Sequence, residues 1–166
     1  DVGCGIGTFE QRLAKLDITG LDASEEMLKE ARKRSNKTFV LGNAKSLDFG
    51  DSSFDAVFYV ATLEFVTDYQ RAIQEAYRVT KSNGKLLVMM LNPASEYFHE
   101  HFQRRDSYFR RIKHTDLGEV EESISRFYQI TKKEYFLGIK GQQVLDTSDK
   151  RYASLYVLVG KKTATP

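Results

Sequence analysis

The first residues able to do chemistry open the chain, in the run Asp1-Val2-Gly3-Cys4-Gly5-Ile6-Gly7-Thr8. Glycines at alternate positions let a backbone turn tightly and approach a ligand closely. A helix following such a turn points free N–H groups into the same space, which suits a carboxylate or a phosphate. The spacing is not the Gly-x-Gly-x-x-Gly of dinucleotide sites, because the third glycine comes one residue too soon. Asp22 stands fifteen residues after Gly7. A carboxylate ending a strand there can accept from both hydroxyls of a ribose, in a bidentate, charge-assisted arrangement. Its plainer reading is a cap for the helix beginning near Ala23. Gly42-Asn43-Ala44 then offers an amide oxygen after a further strand, or simply a turn.

Other groups of interest lie later in the chain. Glu64, Tyr97 and His99 are the candidate proton acceptors, although Glu64 also fits a solvated charge at a helix end. His99 and His101 are two apart and do not share a helix face, so no metal site is expected. Arg104, Arg105, Arg110 and Arg111 interleave with aromatic residues. Such interleaving suits RNA, but it also describes an ordinary solvated helix face.

These residues need elements to position them. Phe9, Leu13 and Leu16 have helical spacing and predict a helix over Phe9 to Leu16. Ile18 to Leu21 reads as a short buried strand ending at Asp22. Ser24 predicts a helix cap, with Glu25 and Glu26 at the positive end of the dipole and Met27, Leu28 and Ala31 as the inward stripe. Thr38 to Leu41 and Phe54 to Val60 are strands, with Tyr59 and Val60 at the carboxyl end of the second. Asp68 to Thr80 is helical, with Ala72, Ile73, Ala76 and Val79 on one side. Asn83-Gly84 ends that helix, and Lys85 to Leu91 is a nearly unbroken apolar strand of the kind covered on both faces.

The last third changes character. Ser95 to Lys113 predicts one or two helices bearing Phe98, Phe102, Phe109 and Ile112, and Asp116 to Ser125 predicts another. Tyr128 to Phe136 and Tyr152 to Gly160 form two strands joined by a loop over Gly138 to Lys150. No helical pattern separates them, so they should pair antiparallel. Lys161 to Pro166 is expected to fray.

The bulk numbers fit one domain of ordinary soluble composition, and the alternation of strands and helices favours a parallel sheet with crossover helices. The chain has 166 residues, with 41% apolar and 29% charged side chains. A net charge of +2 is too mild to imply nucleic acid or a membrane surface. The single cysteine, Cys4, excludes an internal disulfide and fits a reducing, cytoplasmic setting. No apolar run approaches the roughly 20 residues of a membrane-spanning helix.

Asp-x-Gly-x-Gly-x-Gly opening a strand–helix unit resembles the signature of class I methyltransferases dependent on S-adenosylmethionine. Within them it is most similar to the small-molecule group typified by ubiquinone and menaquinone biosynthesis methyltransferases. The resemblance covers the chain to about Leu91, and more loosely Tyr128 to Gly160. It implies a Rossmann-like α/β three-layer sandwich: a mostly parallel sheet with an antiparallel C-terminal strand pair. Residues 1–166 would form one domain, with 95–126 an insertion capping the substrate. Because the loop opens the chain, the N-terminal strand and helices of that fold are expected to be missing.

The resemblance also implies residue roles. Asp1, Gly3, Gly5 and Gly7 would hold the methionine part of the cofactor, and Asp22 the ribose. Ala23 and Met27 would flank the adenine, although Met27 also fits an ordinary core position. Asn43, with Ala44 beside it, stands where the family usually has an aspartate accepting from the adenine amino group. Tyr59 and Val60 would meet the cofactor's amino group through backbone atoms. Asn92-Pro93-Ala94 is similar to the Asn-Pro-Pro-Tyr of amino-group methyltransferases but follows the wrong strand and lacks the aromatic, so Pro93 reads as a strand terminator. The expected reaction is in-line transfer of a methyl group to a small-molecule acceptor. A non-catalytic cofactor-binding relative and a nicotinamide-dependent oxidoreductase remain alternatives.

Overall fold

The computed structural model describes residues 1–164. Helix α1 spans Thr8–Arg12, strand β1 Thr19–Asp22, helix α2 Glu25–Arg34 and strand β2 Thr38–Leu41. Strand β3 (Phe54–Val60), helix α3 (Tyr69–Val79) and strand β4 (Thr80–Leu91) follow. Helices α4 (Glu96–Gln103) and α5 (Leu117–Ser125) precede strands β5 (Tyr128–Lys140), β6 (Gln143–Leu145) and β7 (Ala153–Lys162).

β1 pairs with β2 in parallel, and β3 pairs with β4 in parallel. Asp1 and Val2 link these pairs: Leu21 N donates to Asp1 O at 2.8 Å, and Val2 N donates to Phe58 O at 3.0 Å. The glycine loop therefore leaves from the middle of the combined sheet. The antiparallel part is larger than one C-terminal pair. β7 lies between β4 and β5, antiparallel to both, and β6 adds a hairpin to β5. That hairpin occupies part of the loop expected over Gly138 to Lys150. Lys161 and Lys162 belong to β7 rather than to a frayed tail, and residues 165–166 lie outside the described range.

Alternation along the strands explains the layers. Leu86, Val88 and Met90 of β4 join Ala72, Ile73, Ala76 and Val79 of α3 and Val120 and Ile124 of α5 in the largest core cluster. Leu91, one step out of phase, packs instead with Phe98 and Phe109. Leu21 faces the first cluster, while its neighbour Gly20 faces Phe39, which packs with Cys4, Leu28 and Ala31 of a third cluster. Helices thus cover both faces.

Local chemistry sets most element ends. Ser24 accepts from Met27 N, and Asp68 from Arg71 N, each as an N-cap. β4 begins earlier than expected, at Thr80. Residues 81–84 bulge out between the pairings Phe54–Thr80 and Ala56–Lys85, with Asn83 at φ 62°. α1 is shorter than its apolar spacing predicts and stops at Arg12. Leu13 and Leu16 are 40% and 55% exposed. Short helices draw most of their stability from packing an apolar face, and these two leucines have no such partner. Met27 also departs from the expected inward stripe, at 43% exposed, whereas Leu28 and Ala31 are fully buried.

Asn92 does not take part in a site. It is fully buried, and its Nδ2 donates to Lys150 O and Ala153 O, both at 2.7 Å. Its Oδ1 accepts from Ala94 N at 3.0 Å. The side chain clamps the exit of β4 to the entry of β7. Asn92→Ala should lower unfolding free energy by about 2–3 kcal/mol, because buried carbonyls lose their donors. Urea unfolding measures this, and a loss under about 1 kcal/mol would remove the clamp from the account.

Candidate functional site

A cavity of about 390 Å³ opens at the carboxyl ends of β1, β2 and β3. That is where ligands sit in open α/β sheets, and the size falls within the usual range of small-molecule sites. Four chain segments build its wall: Val2–Gly3, Leu21–Ala23, Gly42–Lys45, and the turn after β3 from Ala61–Thr62 to Phe65–Thr67. Five of the expected cofactor residues therefore meet in one place: Gly3, Asp22, Ala23, Asn43 and Ala44.

Asp22 is the fixed charge of this cavity. Its Oδ2 accepts from Gly5 N at 2.8 Å and its Oδ1 from Ser24 N at 2.9 Å. An ionised carboxylate has about four lone-pair positions, so two backbone amides orient the group and leave acceptor capacity on both oxygens. The helix-cap alternative for Asp22 is corrected, since Ser24 is the N-cap of α2. Asn43 lies across the cavity, with its Oδ1 accepting from Lys45 N at 2.9 Å. Among the described residues, one lone pair of that oxygen and the amide donors have no partner.

The three glycines of the opening loop divide their work. Gly3 has φ 82°, and a Cβ there would lie 2.4 Å from the Thr62 side chain. Gly7 has φ 73°, and a Cβ would meet Phe39 at 2.9 Å and Ala31 at 3.0 Å. Close contact between chain segments requires both. Only Gly5 looks into open space. Gly5, Gly7 and Asp1 do not line the cavity, although Gly5 reaches it through its bond to Asp22. The anion-binding argument from the helix N-terminus weakens too, because α1 has only five residues.

Other expected positions fall elsewhere. Tyr59 is fully buried with its hydroxyl on Ala72 O at 3.0 Å, so its side chain belongs to the core under α3. The cavity wall is made one to two residues later, by Ala61 and Thr62, rather than by Tyr59 and Val60. Met27 lies outside the lining. Phe65, Val66, Thr67 and Lys45 line the cavity without having been anticipated. Their only sequence signal is position, just beyond the end of a parallel strand. Cys4 is buried, and burial, aided by Glu10 and Asp22, pushes its thiol up to about 12, so it stays protonated.

The candidate proton acceptors are not brought together. His99 is exposed on α4. Tyr97 is half-buried, with its ring 4.1 Å from that of His101 and 5.8 Å from that of Phe109. Glu64 is not a solvated charge: it is 1% exposed. Its Oε1 accepts from Leu91 N at 3.0 Å, while Oε2 is buried without a partner among the described residues. Its backbone carbonyl accepts from Lys113 N and His114 N. Glu64 therefore joins the cavity turn, the end of β4 and the end of the 92–116 segment. Burial raises its carboxyl from 4.5 to about 7 against the opposing pull of backbone amides. No group of metal-ligating side chains occurs among the described residues, and no helix there is long and apolar enough to cross a membrane.

A family model described as a methyltransferase domain matches residues 1–88. A demethylmenaquinone methyltransferase of Thermotoga maritima is 37% identical over 98 residues, covering 56% of this chain and 43% of that protein. A ubiquinone/menaquinone biosynthesis C-methyltransferase of Rickettsia felis is 32% identical over 119 residues, covering 63% of this chain and 48% of its own length. The chain thus spans less than half the length of these curated relatives. Among solved structures, an S-adenosylmethionine-dependent methyltransferase of Thermotoga maritima, described as a possible histamine N-methyltransferase, superposes with a TM-score of 0.81. It is 27% identical and the match covers 98% of this chain and 80% of that one.

Proposed function

The chain belongs to the methyltransferase-domain family, and from that premise we propose that it transfers a methyl group from S-adenosylmethionine to a small-molecule acceptor. The observation that carries this reading is Asp22, held by two backbone amides at the lip of a cavity with acceptor capacity on both oxygens. This geometry suits the two hydroxyls of a ribose. The names of the curated relatives, all in quinone biosynthesis, support a small acceptor rather than a macromolecule.

When bound, the cofactor supplies a sulfonium-activated methyl group; the chain's own residues supply placement. Asp22 would receive the ribose hydroxyls, and Ala23 and Ala44, small residues of the same lining, would flank the base. Asn43 presents its amide to the edge of that base. The backbone at Gly3, Ala61 and Thr62, which lines the same cavity, would face the amino-acid end. Residues 95–126 cover the acceptor. Much of the rate of an in-line displacement comes from such alignment, so a protein nucleophile is unnecessary. The glycine spacing gives the nicotinamide alternative no comparable support.

Calorimetric titration with S-adenosylhomocysteine tests the proposal. Wild-type protein should bind, and Asp22→Ala should bind about 100-fold more weakly, equivalent to about 3 kcal/mol for two charge-assisted hydrogen bonds. Asp22→Asn keeps the acceptor for Gly5 N and separates lost binding from lost folding. Absence of binding by the wild type would refute the proposal. Transfer of labelled methyl to a panel of small acceptors then distinguishes an enzyme from a binding protein.

A further inference from the structure

A solvent-open pocket of about 420 Å³ lies on the loop after α4, lined by His101, Arg104, Arg105, Asp106, Ser107 and Tyr108, with both arginines exposed. One ring contact connects it to the cofactor cavity. The ring of Tyr108 stacks on that of Phe65, centroids 5.8 Å apart and planes 29° off parallel, and Phe65 lines the first cavity. Lys113 Nζ donates to Thr67 Oγ1 at 2.5 Å, next to the first cavity, which Lys45 also lines. Among the described residues Arg104 and Arg105 form no ion pair. The one acidic side chain of α4 that does, Glu96, is taken by Arg151 at 2.8 Å.

We propose that this pocket is the seat of an anionic group on the methyl acceptor, a carboxylate or a phosphate, held by Arg104 and Arg105 with the acceptor's flat body against the Phe65–Tyr108 ring pair. The inference deepens the proposed function and rests on it. Guanidinium groups match carboxylate and phosphate in a two-pronged geometry, and aromatic faces take planar ligands. Electrostatics points the same way. A methyl donor of this class is a sulfonium cation, which gains nothing from a mouth lined by Arg104 and Arg105. An anionic acceptor is attracted by donor and mouth together. Asp106 is the one carboxylate in the lining, and it disfavours a bare, multiply charged anion filling the cavity.

The test uses the intact protein saturated with S-adenosylhomocysteine and three probes of similar shape: 4-hydroxybenzoate, 4-hydroxyphenyl phosphate and neutral 4-hydroxybenzamide. Calorimetry or ligand-observed NMR reads each affinity. At least one anionic probe should bind about 10-fold or more tightly than the amide, with a preference that shrinks as salt rises. The two anionic arms separate carboxylate from phosphate recognition. In Arg104→Ala/Arg105→Ala the preference should fall below about 2-fold, while Arg110→Ala/Arg111→Ala keeps it. Equal binding of all three probes, no binding of any, or a preference that survives the Arg104/Arg105 double variant overturns the inference. S-adenosylhomocysteine affinity, measured first, shows separately whether the donor site stands.

Discussion

Gly3→Ala should cost about 2–5 kcal/mol of folding stability, more than any other single methyl addition to the opening loop. Two effects sum there. An L-residue at φ 82° carries about 1–2 kcal/mol of backbone strain. A new Cβ 2.4 Å from the Thr62 side chain forces that side chain or the loop to move, and such overpacking costs about 1–3 kcal/mol. Gly5→Ala is the internal comparison: its φ is also positive, but a Cβ there meets nothing within 4 Å. The difference between the variants isolates the contact from the strain. Thr62→Ala in the Gly3→Ala background should recover about 1–2 kcal/mol, a coupling expected only of touching residues. Urea denaturation of wild type, Gly3→Ala, Gly5→Ala, Thr62→Ala and the Gly3→Ala/Thr62→Ala double variant measures this. Equal losses for Gly3→Ala and Gly5→Ala would show that the loop does not press on Thr62.

Glu64 carries the second large effect, and its sign is set by which form the fold prefers. Burial raises the carboxyl to about 7 in the folded chain, against 4.5 unfolded. Between those values the unfolded chain releases the proton while the folded chain keeps it. Stability from this group is therefore present below pH 4.5 and is lost as pH rises through 7, by about 3 kcal/mol in all. Glu64→Gln removes the titration. Relative to wild type, the variant should gain up to about 3 kcal/mol on going from pH 4 to pH 8. Other titrating groups cancel in that difference. Parallel pH dependence in the two proteins would show that the Glu64 carboxyl titrates normally.

Legibility in the sequence followed the range of the interaction involved. β2 and β3 occupy the spans their apolar runs predict, and Ser24 caps α2, because these depend on neighbours a few residues away. Asp22 and Asn43 could be read together with Gly3 because they lie at, or within two residues of, the carboxyl ends of β1 and β2. α1 was overread: Leu13 and Leu16 have the right spacing but no surface to bury against. Glu64 was misread for the converse reason. Nothing local shows that Leu91 N, twenty-seven residues away, claims its carboxylate. The placement of β7 between β4 and β5 is likewise invisible to periodicity, since a strand's own pattern does not name its partners. Phe65 and Thr67 became part of the cavity only through the turn that follows β3.

The two amides on Asp22 also bear on timing. Gly5 N and Ser24 N are backbone groups of the fold itself, so the bonds that orient the carboxylate form as the chain folds. A donor arriving at this lip meets a finished receptor instead of a loop that must close first. Association should then be governed by diffusion and by shedding of water, and donors that fit unequally should differ chiefly in how long they stay.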